Sequence, residues 1–161
     1  GCHLTNPSFV PKLRDFFAHY PDSALTEARA LNLGRHLRIS PDLKLIVARN
    51  ESEGRELEAL HDSSEPAEMP RSVYIPDGFD GPTVLACGRV GTEEEELIGG
   101  VILRYSRRQN PPEPGGFPLR VVSSGNTRRV HARNALPPDI VRRFLISDLT
   151  SSMRPCRDEV E

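Results

Sequence analysis

Tryptophan is missing from the 161 residues, and aromatic residues make up only 6% of them. The core must therefore be aliphatic, and with apolar residues at 37% it is thin for the length. Lysine is nearly absent as well: 19 of the 21 basic residues are arginine, and the two lysines stand at positions 12 and 44. Cysteine occurs at positions 2, 87 and 156. An odd number without C-x-x-C spacing argues against a disulfide framework. A helical membrane span needs about 20 mostly apolar residues. No run here approaches that, and no basic-then-apolar leader opens the chain. The expectation is a soluble, cytoplasmic protein and no membrane partner.

Catalytic signatures are missing too. The chain has no Walker A pattern, no G-x-G-x-x-G opening a helix, no H-E-x-x-H and no G-x-S-x-G. Nor does it carry S-G-G-x-D-S, the loop with which ATP-pyrophosphatases hold nucleotide phosphates. Ser123-Ser124-Gly125-Asn126 is superficially like such a loop but falls at an expected hairpin tip with no helix behind it. The five histidines (3, 19, 36, 61 and 131) include no pair within four residues, so spacing supports no metal site. The adjacent Cys2-His3 is a conceivable tuned nucleophile or ligand pair, but at a chain end it reads as incidental. No catalytic residue, cofactor or metal is expected, and the chain by itself is not expected to be an enzyme.

What the sequence does have is an uneven distribution of charge. Its net charge of −2 conceals +3 over residues 1–49, −10 over 50–99, +7 over 100–146 and −2 over the tail. Arginine presents a planar fork of donors suited to phosphate, so a basic stretch inside an acidic protein raises a nucleic-acid hypothesis beside the commoner one of a solvated face.

Hydrophobic periodicity supplies the elements. Phe9, Leu13, Phe16, Phe17 and Tyr20 form one helical stripe, with Asn6-Pro7 as its start and Pro21 as its stop. Residues 22–30 are ambiguous. Residues 31–39 alternate as a strand with a break at Gly34–His36, Ser40-Pro41-Asp42 is a turn, and Leu43–Ala48 is the return strand. Asn50 with Glu53 begins a helix that turns Leu57 and Leu60 inward. Short strands are expected at Val73–Ile75 and Thr83–Cys87, separated by loops at 61–71 and 77–82. Thr92 and Glu95 form a T-x-x-E capping box for a helix that buries Leu97, Ile98, Val101, Ile102 and Tyr105, with Arg104, Arg107 and Arg108 in its last turn. Gly99-Gly100 within it implies close packing against a strand. After a proline-rich loop at 109–118, residues 119–122 and 127–132 form a β-hairpin, and a final helix runs over 138–146. The fold class is α+β: a single domain with a largely antiparallel or mixed sheet of about six strands and three or four helices.

The richest candidate segment delivers Arg35, His36 and Arg38 on one side of a turn and Lys44, Arg49 and Asn50 on the other. Asn50 opens a helix whose first N–H groups can receive a phosphate.

Several stretches resemble a known family. Cys2-His3-Leu4-Thr5-Asn6-Pro7 with Phe9, Leu13 and Arg14 resembles the "C-L-L-T-D-P … F … R-L-R-D-L" segment of PP-loop thiouridylase-like proteins, where the ATP-binding domain passes into a C-terminal domain. Gly34-Arg35-His36-Leu37-Arg38 and Lys44-Leu45-Ile46-Val47-Ala48-Arg49-Asn50-Glu51 resemble that domain's "G-R-H-F-R … K-L-I-V-G-R-N-E". Gly81-Pro82-Thr83-Val84-Leu85 matches "G-P-T-x-L", and Arg104-Tyr105-Ser106 matches "A-R-Y-S" after its first residue. Such domains are similar to the RNA-binding domain of the NFACT proteins. Ala48 and Asn6 depart from the pattern, and Gly54 stands where an Asn is expected. The resemblance implies a non-catalytic RNA-binding domain, with tRNA as the expected RNA, appended to a tRNA-thiolation enzyme whose PP-loop domain lies upstream. It divides the chain into a helical junction at 1–30, the NFACT-R-like domain at 31–146 and a flexible tail at 147–161. The RNA-contacting residues would be Arg35, His36, Arg38, Arg49, Asn50, Arg104 and Arg107. The alternative is a protein–protein interaction or dimerisation module, docking through the acidic stretch 50–99 or pairing by a sheet edge.

Overall fold

The computed structural model describes residues 9–19, 30–62, 69–107 and 109–146. Cys2-His3, the cap at Asn6-Pro7, Pro21, residues 22–29, Arg108 and the tail lie outside the described residues.

Ten elements follow in order: α1 (Phe9–His19), β1 (Arg35–Ser40), β2 (Leu43–Val47), α2 (Glu51–Asp62), β3 (Arg71–Pro76), β4 (Val84–Gly88), α3 (Thr92–Tyr105), β5 (Phe117–Ser123), β6 (Asn126–Ala132) and α4 (Pro138–Phe144). The six strands form one sheet in the order β1-β2-β4-β3-β5-β6. Every neighbouring pair is antiparallel, which gives the expected α+β class.

Both faces of the sheet are packed, because side chains alternate between them along each strand. Leu37, Leu45, Val47, Tyr74, Val84 and Leu119 point to one face and pack with Ile98, Val101 and Ile102 of α3 and Val141 of α4. Ile46, Val73 and Leu85 point to the other and pack with Leu57 of α2. Close approach explains the Gly99-Gly100 pair: a Cβ on Gly99 would stand 2.9 Å from the Ala132 Cβ of β6, and one on Gly100 would stand 2.7 Å from Leu136 Cγ.

Three local expectations are corrected. Residues 31–33 are not strand; 30–32 form a short 3₁₀ turn, and β1 starts at Arg35, so that of the expected break at Gly34–His36 only Gly34 interrupts the chain. The reason is Gly34, whose φ of +63° makes the turn. The N-cap of α3 is Gly91 rather than Thr92: the Gly91 N–H donates to Glu94 Oε2 at 3.0 Å. Glu95 is thereby left to accept from Tyr74 Oη at 3.1 Å and to pair with Arg128. The α1 stripe is rotated, with Phe16 buried and Phe17 44% exposed, while Lys12 faces inward.

Candidate functional site

Two glycines position the site. The Gly34 carbonyl accepts a hydrogen bond from Lys12 Nζ at 3.0 Å, and any Cβ at Gly34 would fall on the Val47 carbonyl oxygen. β1 is thereby pinned beside the end of β2, and Arg35 lies opposite Val47. A Cβ at Gly81 would collide with Ser106 Oγ and Phe79, so the loop before β4 lies directly against the end of α3. The Ala48 N–H donates to the Thr83 carbonyl at 3.0 Å, joining the exit of β2 to the entry of β4.

These joints shape a groove of about 760 Å³ at one end of the sheet, between the first turns of α2 and the end of α3. Arg35, Arg49, Asn50, Arg55 and Arg107 line it. The Arg35 guanidinium lies 4.6 Å from the centre of the Tyr105 ring, a cation–π contact. Asn50 caps α2, accepting the Glu53 N–H at 2.9 Å. Glu53 accepts the Arg49 N–H at 2.9 Å and grips its side chain, with Nη2 to Oε1 at 2.6 Å. Burial alone would raise the Glu53 carboxyl, but the hydrogen bonds from Arg49 outweigh it and hold it below the usual carboxylate range. Arg107 pairs with Asp80, Nε to Oδ2 at 3.0 Å. Arg55 has no partner among the described residues.

Of the seven residues expected to contact RNA, four converge here: Arg35, Arg49, Asn50 and Arg107. The other three are elsewhere. His36 is 1% exposed, with Nε2 against the carbonyls of Ala30 and Leu33 at 3.1 and 3.0 Å. Burial, reinforced by Lys44 and Lys12, pushes its pKa well below the ordinary 6.5, so the ring is neutral. Arg38 is held under α1 by Asp15, with Nη2 to Oδ2 at 2.7 Å and both side chains at most 10% exposed. Arg104 donates to the Leu136 carbonyl at 2.6 Å and lies outside the groove lining. His36 presents almost no surface to a macromolecular ligand, and Arg38 little.

Sequence reasoning misses much of the lining, and three of its residues show why. Tyr105 sits at core spacing, and only the fold shows its ring receiving Arg35. Phe79 lies in the loop expected at 77–82, where no pattern marks it as lining a site. Arg55 belongs to no motif; its one signal is that it stands four residues beyond Glu51 on α2.

Residues 34–116, slightly more than half of the chain, match the family described as the NFACT protein RNA-binding domain. No curated protein matches the chain. Among solved structures, the C-terminal part of the fibronectin/fibrinogen-binding protein from Streptococcus suis is similar at a TM-score of 0.49 and 10% identity, over 86% of this chain and 68% of that one.

Proposed function

Because the chain belongs to the family of NFACT protein RNA-binding domains, we propose that it binds RNA without catalysing a reaction, and that the groove between α2 and α3 is its contact surface. The observation that carries the assignment is convergence: Arg35, Arg49 and Arg107 come from three separate parts of the chain and line one groove. Arg49 and Arg107 each keep a carboxylate partner in the free protein. Both partners hold the guanidinium in place until a phosphate competes for its remaining donors. The start of α2 adds backbone N–H groups favourable to an anion.

On this reading Arg38 belongs to the docking of α1, His36 to the turn at residues 30–33 before β1, and Arg104 to the junction of α3 with the chain before α4. The finer assignment, carried by the resemblance of Cys2–Arg14 and of the later motifs, is tRNA as the ligand and a PP-loop thiolation domain as the working partner.

The test is a fluorescence titration of tRNA at two salt concentrations. With three groove arginines on phosphates, log K should fall by about 0.7 to 0.9 per contact for each unit of log salt, or roughly two to three overall. Absence of binding would favour the protein–protein module, with its acidic stretch as the docking surface.

A further inference from the structure

The groove is not purely basic. Asp80, Glu51 and Glu58 share its lining with the arginines. Asp80 is engaged by Arg107, but Glu51 and Glu58 have no partner among the described residues. With Arg55 they fall at i, i+4 and i+7 of α2, which puts all three on one face of the helix. A surface meant only for phosphates gains nothing from two unpaired carboxylates, because each repels the ligand.

Beside these charges the lining includes an apolar part: Ile75, the proline rings of Pro76 and Pro82, and the aromatic ring of Phe79. Phe79 is partly buried and braced edge-on by Phe117, with ring centres 5.2 Å apart. An aromatic ring and proline rings beside unpaired carboxylates fit a nucleobase. Its face packs on the apolar wall, and its amino group donates to a carboxylate, as cytosine N4 does to Glu or Asp. The volume of about 760 Å³ lies within the range of about 300–1,000 Å³ found for small-ligand clefts. That suits one or two nucleotides, whereas a base-paired helix would rest across the mouth with its bases turned inward.

Resting on the RNA-binding reading above, we infer that the groove takes an unpaired nucleotide of the RNA, with amino groups of the base on Glu51 and Glu58 and flanking phosphates on Arg49 and Arg107. The preferred ligand is single-stranded and carries amino-bearing bases, so cytosine is favoured over uracil.

The sign of one mutational effect tests this. Labelled oligocytidylate, oligouridylate and the oligocytidylate–oligoguanylate duplex are titrated against the parent and the Glu51→Ala/Glu58→Ala variant. Glu51 is exposed and Glu58 half-exposed on the helix surface, so the variant should fold, which circular dichroism checks. The expected result is tighter binding of oligocytidylate than of the duplex, and an approximately tenfold loss of oligocytidylate affinity in the variant with oligouridylate unchanged or tighter. Equal tightening of all three ligands would mean that the carboxylates only repel, and would overturn the inference while RNA binding stands. Duplex binding as tight as oligocytidylate would overturn it in the same way. If none of the three binds, the RNA-binding reading itself falls and takes the inference with it.

Discussion

The guanidinium of Arg35 rests on the ring of Tyr105, 4.6 Å from its centre, and ties the first strand to the last turn of α3 across the groove. Arg35 is thereby presented in one orientation rather than sweeping through solvent. Tyr105→Leu keeps the apolar contact and removes the π face, which contributes about 0.5–1 kcal/mol at an exposed site. RNA affinity is expected to fall about threefold with little change in melting temperature. An unchanged affinity in a fluorescence titration would show that the stacking does not position Arg35 for RNA.

Gly34 is expected to be the least replaceable residue of the groove's frame. Its φ of +63° disfavours any side chain, and a Cβ would meet the Val47 carbonyl oxygen. Gly34→Ala should destabilise the protein by about 2 kcal/mol or more, combining strain with a displaced strand end. Urea denaturation measures it. A loss well under 1 kcal/mol would mean that β1 can shift without cost.

Both lysines are buried, Lys12 at 6% and Lys44 at 4% exposure. Burial pulls the Lys44 pKa from 10.5 down to about 8, with Asp15 opposing the shift from 3.8 Å. Between pH 8 and 10.5 the unfolded chain therefore binds a proton that the folded chain lacks, and stability rises with pH across that window. Below pH 8 the cost of the buried ammonium is fully present. Lys44→Met should stabilise the protein by about 1–2 kcal/mol at neutral pH, since Asp15 keeps Arg38, and should lessen the rise at higher pH, leaving the part that the lowered pKa of Lys12 contributes. Denaturant midpoints at neutral pH and at about pH 9.5 test both parts. Lower stability of the variant at neutral pH would show that the lysine is a net favourable partner of Asp15.

His36 acts in the same direction at lower pH. Its folded pKa lies well below 6.5, so the unfolded chain takes up a proton first as pH falls. Stability should decline from about pH 6.5 downward. His36→Gln, which keeps a donor for the Ala30 and Leu33 carbonyls, should lessen that decline in thermal melts. A decline of the same size in the variant would assign it to other groups.

The legible parts of the fold were those with local signals. α3 was visible because four glutamates and an amphipathic run frame it, although Gly91 rather than Thr92 caps it. β1 is hard to delimit from sequence because His36 is a polar residue turned inward, which hides the alternation that Leu37 and Ile39 carry. Half the groove was legible in the same way. Arg35 and Arg49–Asn50 flank one hairpin and are therefore linked by the sequence pattern itself, but Arg107 joins them only through the sheet order, which sets β4 between β2 and β3. Burial separates Arg38, under α1, and His36, against the turn at 30–33, from the groove arginines, and nothing in a run of residues records which side chains those segments will cover.

The most direct test compares arginines of the groove with one outside it. Arg49→Ala/Arg107→Ala removes two groove cations, whereas Arg120→Ala removes an exposed cation on β5, outside the groove lining and without a partner among the described residues. Salt-dependent titration of tRNA should show the double variant weaker, with a salt slope shallower by about two contacts, and the Arg120 variant close to the parent. Equal losses in the two variants, or none in the double variant, would contradict the groove as the site of RNA binding.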